Sequence, residues 1–251
     1  MMVGWRVYGL GVIALAVVAF AIGSFLPGQP VPKAFPDRTA LAYVAAAFML
    51  VAGLSVEWRR TAAWAGAALA IYFGIVVVGM MDGRIIVAHY AEFGAYNGTS
   101  EQLATAMGGL ILYASTADID AVLAARLIRA GQAVFGICAI LFGAAHFVYM
   151  DLTAPLVPSW LPPNQLFWGY ATGVFHIAAG IAIITGFQAR LAAILLTVMY
   201  ALFTPLVHLP MLLATPAGHY IWSENAENIV LTGAAWVVAD SLARRFTRAD
   251  G

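Results

Sequence analysis

The sequence predicts an all-α, polytopic transmembrane protein of eight helices, arranged as two fused four-helix bundles in a parallel repeat. Three observations carry the prediction. Of the 251 residues, 63% are hydrophobic and only 10% are charged, whereas soluble domains carry about a quarter charged residues. The apolar residues fall in runs long enough to cross a bilayer, which takes about 20 residues. The basic residues alternate from one side of these runs to the other.

Eight segments read as spans, roughly at 5–26, 38–57, 62–82, 100–117, 126–149, 165–186, 189–213 and 225–243. The first has Arg6 ahead of an apolar stretch ending near Ala19-Phe20-Ala21, a pattern shared with secretory signals. A counterpart later in the chain favours a span instead. Arg6, Arg59, Arg60, Arg126, Arg129, Arg190, Arg244, Arg245 and Arg248 fall at the N-terminus, the even-numbered loops or the C-terminus. Lys33, Arg38 and Arg84 fall on the opposite side. The positive-inside rule then puts both termini in the cytoplasm. The expected location is the bacterial inner (cytoplasmic) membrane, with the odd-numbered loops and their Trp160, Tyr220 and Trp222 outside.

Several function classes are excluded. Formal net charge is zero and no basic block is present, so the expected partner is the lipid bilayer and not nucleic acid. The single cysteine, Cys138, rules out an intramolecular disulfide and any CxxC site. The single lysine, Lys33, lies in a loop, which rules out a retinal Schiff base. No HExxH, P-loop, GxSxG or dinucleotide fingerprint occurs.

An internal repeat divides the chain. VPKAFPDRTALAYVAAAFMLVAG, Val31 to Gly53, lies beside VPSWLPPNQLFWGYATGVFHIAAG, Val157 to Gly180, with one inserted residue. SEQLATAMGG at Ser100 likewise matches AENIVLTGAA at Ala226. The expected domains are therefore residues 1–120 and 121–251. Four spans per half is an even number, so both halves run the same way. In this register His146 pairs with about Ser24, His176 with Met49, His208 with about Met81 and Glu227 with Glu101. The second half keeps the imidazoles, so the candidate site is expected there.

The polar residues of that half share faces. Gly136, Ala139, Gly143 and His146 recur at helical spacing, as do Gly169, Gly173, His176 and Gly180. Gly169-x-x-x-Gly173 is a close-packing pattern. Thr197, Tyr200, Thr204 and His208 form a stripe, and Glu224, Glu227 and Asn228 open the last span. Such faces turn inward, because polar groups are costly against lipid. At ~1.5 Å per residue, His176 sits roughly 16 Å deeper than the outer ends that hold His146, His208 and the acids. The expected site is a polar funnel open to the outside, with the proline-rich loop from Tyr149 to Gln165 as a lid. His146, His176, His208 and Glu227 are the candidate catalytic groups. Tyr149, Thr204, Glu224 and Asn228 are the candidate cofactor-binding groups.

Imidazoles with carboxylates relay protons near neutral pH, ligate metals, or hydrogen-bond a quinone's oxygens. Each also has a structural use: His208 beside Pro210 can satisfy backbone that the proline leaves open, and acids suit a helix N-terminus. The cofactor is not fixed by the sequence; quinone is favoured over metal or a haem clamped by His146 and His208, and no metal site is assigned.

GAAHF, VPSWLP, the glycine-punctuated sixth span, VHLP and ENAEN together resemble the DoxX-like membrane protein family, over Arg126 to about Ser241 and more weakly over the first half. The family is built on a four-helix unit and includes membrane subunits of thiosulfate:quinone oxidoreductase. The resemblance implies a membrane subunit of a redox or quinone-linked system, and with it a redox partner protein. The absence of paired cysteines argues against covalent handling of sulfane sulfur, and eight spans depart from a single unit. A carrier or binding protein for a small hydrophobic or metal ligand, and a non-catalytic membrane anchor, are the rival expectations.

Overall fold

Short-range chemistry sets several helix ends. Asp120 accepts from the backbone N–H of Val122 and Leu123 at 3.1 and 2.9 Å, capping the orphan donors of the helix that follows. Asn164 caps the next one through Phe167 N–H at 2.8 Å. Gly23 and Gly186 stop helices in the left-handed region, at φ 64° and 85°, where a side chain would be strained.

The computed structural model describes residues 3–243; Arg244, Arg245 and Arg248 lie outside them. The chain is all-α, with no strand among the described residues. Eight long helices form the body: α1 Gly4–Ile22, α2 Arg38–Val56, α3 Ala62–Ala88, α4 Phe93–Thr116, α5 Ala121–Val148, α6 Gln165–Thr185, α7 Ala189–Ala214 and α8 His219–Ala243. Two of them change register. α3 is π-helical over Tyr72–Asp82 and α7 over Thr204–His208.

Among the described residues, six helices are long and apolar enough to cross a membrane: α1, α2, α3, α5, α6 and α7. α4 and α8 fall outside that set. They carry Glu101 with Gln102, and Glu224 with Glu227 and Asn228. These two helices are also the interior ones. α8 packs against α1, α4 and α7, and α4 against α3, α5 and α8. The others follow in chain order: α1 on α2, α2 on α3, α5 on α6, α6 on α7. α1 packs on α8 more extensively than on α2, so extensive contacts join the first four helices to the last four.

Glycine makes these approaches close. A Cβ on Gly53 would lie 3.1 Å from Gly9 O, joining α2 to α1. One on Gly143 would lie 2.6 Å from Gly173 O, joining α5 to α6. One on Gly66 would lie 2.8 Å from Gly109 O, joining α3 to α4. Around this tightly packed interior, large apolar side chains face outward, among them Val44, Trp64, Ile75, Ile137, Phe175 and Leu195.

Candidate functional site

Two polar clusters form, not one. The first lies between α4 and α8, at the end of the body that carries the connection from α1 to α2. Glu227 Oε1 accepts from Thr105 Oγ1 at 3.2 Å, and Gln102 lies within hydrogen-bonding reach of the same carboxylate. Thr105 is held in turn, because Tyr8 Oη donates to its carbonyl at 2.9 Å. Glu101 is within electrostatic reach of Glu227, Glu224 and Asp82. Glu101, Gln102, Ser223, Glu224 and Glu227 line a cavity with about 20 Å³ open to a water-sized group, walled by Leu15, Leu26, Gly28 and Phe73.

A groove of about 260 Å³ opens above it. Ile22, Phe25, Gln29, Val31, Arg38, His219 and Tyr220 are among its lining residues, and it shares Leu26, Pro27 and Ser223 with the cavity. Arg38 is positioned at its rim by Nε donating to Val31 O at 3.2 Å and Nη1 to Ser24 Oγ at 2.7 Å. The guanidinium stands over the Phe25 ring at 5.6 Å, a cation–π contact.

The second cluster lies among α5, α6 and α7. His146 Nδ1 is 3.0 Å from Gly169 O and 3.1 Å from Thr172 Oγ1. His176, 2% exposed, donates through Nδ1 to Thr172 O at 2.8 Å. The His146 and His176 ring centroids are 5.3 Å apart, and Tyr200 follows 5.4 Å from His176. Tyr200 Oη is buried with no hydrogen-bond partner. Among the described residues, no three His, Cys, Asp or Glu side chains converge as metal ligands would.

The residues singled out from the sequence thus divide. His146 and His176 meet each other. Glu224 and Glu227 meet Glu101, from the half where no site was expected. His208 lies on the π-helical segment of α7 and makes no hydrogen bond or ring contact with either cluster. Tyr149 turns to Phe93, 6.0 Å between ring centroids. Thr204 and Asn228 bond to one another at 2.9 Å, and Asn228 also donates to Tyr200 O at 3.0 Å. That carbonyl needs it: in an i→i−5 register the N–H that Pro205 lacks would have served Tyr200.

Glu101, Gln102, Gln29 and Arg38 are the residues a search confined to the second half misses. The signal for two of them was present, since Glu101-Gln102 aligns with Glu227-Asn228 in the repeat. Gln29 and Arg38 sit in and beside a loop whose path no periodicity fixes.

Among known families, a domain of unknown function, DUF8561, matches residues 135–239, which spans most of α5 to α8 and includes His146, His176, His208 and Glu227. No curated protein and no solved structure matches the chain.

Proposed function

We propose that the chain is an integral membrane protein whose eight helices all cross the bilayer as two parallel four-helix repeats, and that it binds a small amphiphilic molecule in the groove above the acid cavity. The outward-facing apolar side chains of six helices support membrane insertion, since soluble monomers rarely expose contiguous apolar patches beyond a few hundred Å². α4 and α8 can carry acids because they are the interior helices. We place the protein in the bacterial inner membrane with both termini cytoplasmic, on the alternation of its basic residues.

Backbone contacts support the repeat. Gly9 meets Gly53 as Gly136 meets Gly180, an offset of 127 in each helix (136 − 9 and 180 − 53). The same offset brings the π-helical segment 204–208 onto 77–81, inside the π-helical segment of α3. It pairs His146 with Ala19 (146 − 127) rather than with Ser24. Ala19, 2% exposed, fills its site without an imidazole, so the helix pair does not need a histidine there to pack.

The observation that carries the ligand reading is that Glu101 and Glu227, equivalent residues of the two halves, line one cavity under one groove. Acids inside a membrane protein are costly without partners. Their neighbours Thr105 and Gln102 are neutral donors, and His89–Glu92 is the only ion pair among the described residues. A molecule with hydrogen-bond donors or positive charge answers that deficit. Organic extraction of the purified protein, read by mass spectrometry, tests this. A stoichiometric small molecule that is lost on Leu26→Trp, which fills the groove, is the expected result. A molecule retained in full by Leu26→Trp contradicts it.

A role in a redox or quinone-linked system, with a partner protein, is the second reading. The file of His146, His176 and Tyr200 favours it, because imidazole and phenol exchange the protons that quinone chemistry releases and takes up. Quinone that co-purifies and is lost in His146→Ala and His176→Ala supports it; quinone retained by both variants counts against it.

A further inference from the structure

We propose that the groove and its cavity recognise a zwitterion bearing a primary ammonium and, a few bonds away, a phosphate or similar anion: the chemistry of an aminophospholipid headgroup. The inference rests on the groove being a ligand site and names what that ligand is.

Charge is distributed along the groove in one direction. Glu101, Glu224 and Glu227 line the cavity at the bottom. Gln29, 2% exposed, lines the groove and its Oε1 has no hydrogen-bond partner. These are all acceptors, and they call for a donor that carries positive charge. At the rim stands Arg38, whose Nη2 makes no hydrogen bond among the described residues. Arg84 is brought to the same rim by its Nη2 donating to Pro30 O at 3.0 Å, and Pro30 lines the groove. Arg38, Arg84 and Lys33 are the three basic residues on this side of the helices, and Lys33 lies in the loop that forms the rim. An anion at the rim and a cation at the bottom match this pattern.

The narrowness of the cavity, with about 20 Å³ open to water-sized groups, favours a compact –NH₃⁺ group over a bulkier trimethylammonium group. The carboxylates do not converge as metal ligands do. An ammonium spreads three N–H bonds over acceptors that stand farther apart. Phe25, Leu26 and Pro27 give the apolar wall along which the connecting carbons lie.

The test uses the full-length protein in mild detergent, with thermal stability measured against added phosphatidylethanolamine, phosphatidylcholine and free phosphoethanolamine. A saturable rise in Tm with phosphatidylethanolamine and none with phosphatidylcholine is expected. Glu227→Gln, which keeps an acceptor for Thr105, and Arg38→Gln should each weaken that effect about tenfold or more, since each removes a charged hydrogen-bond partner. Free phosphoethanolamine acting as well as the lipid would assign a soluble zwitterion of the same chemistry; the lipid acting alone assigns the membrane source. Equal effects of the two lipids, or a phosphatidylethanolamine effect unchanged in both variants, overturn the proposal. If the lipids do not differ but Leu26→Trp still releases a co-purified molecule, only the zwitterion assignment fails. If Leu26→Trp releases nothing, the groove reading itself fails.

Discussion

Single glycines set how closely the helices approach, and they are not equivalent. A Cβ on Gly180 would press on Gly136 O, a backbone atom that cannot step aside. On Gly53 the nearest atom would be Ile13 Cγ1 at 2.9 Å, part of a flexible side chain, with backbone no closer than 3.1 Å at Gly9 O and Ile13 N. Gly180→Ala should therefore destabilise by about 1–3 kcal/mol, the usual cost of overpacking, and Gly53→Ala by clearly less. Thermal unfolding of the two variants in the same detergent checks the order; equal losses would show that the α5–α6 contact is no tighter than the α1–α2 contact. Buried polar groups act at the same scale. Gln132 Nε2 donates to Ser241 Oγ at 2.9 Å, tying α5 to α8, so Ser241→Ala leaves a buried amide unpaired.

At the scale of the element, the π-helical segment of α7 has an identifiable cause and an identifiable support. Pro205 brings no N–H, and Asn228 of α8 supplies the missing donor to Tyr200 O. Asn228→Ala should cost about 1–3 kcal/mol, the penalty for a buried acceptor left open, and should speed hydrogen exchange around Thr204–His208. Exchange there that stays at the rate of the unaltered protein would mean the segment holds itself. Asn228 and Thr204 were legible in the sequence as polar groups that turn inward, but their use was not, because a proline's missing donor shows its consequence only when a neighbouring helix is in place. The helices themselves were legible from apolar run length: six of the expected spans coincide with helices long and apolar enough to cross a membrane, and the other two fall on helices whose ends are shifted by several residues, as where α4 begins at Phe93 and not near Ser100. α4 and α8 read as spans although their acids weaken the pattern, and those acids are where the candidate site lies.

For the whole molecule, the order of helices in the chain does not give the order of helices in space. The repeat, read along the sequence, suggests two fused four-helix bundles and a site inside the second. The packing of α1 on α8 and of α4 on α5 joins the halves instead. Glu101 and Glu227, 126 residues apart, thereby reach one cavity, whereas His146 and Glu227, on the first and last spans of one half, do not. No periodicity within a single helix encodes that choice, since a glycine face fits any partner of the right shape. The account stands on this meeting of the two halves at the acid cavity, and one measurement addresses it directly. In a Cys138→Ala background, Thr105→Cys combined with Glu227→Cys places two thiols at facing positions whose present side chains meet, Thr105 Oγ1 and Glu227 Oε1 being 3.2 Å apart. Treatment of native membranes with a short bifunctional thiol reagent should join them within one chain, visible as an intramolecular link across residue 120 after proteolysis. Two thiols that each react with a monofunctional reagent, yet never with one another, would contradict the shared cavity.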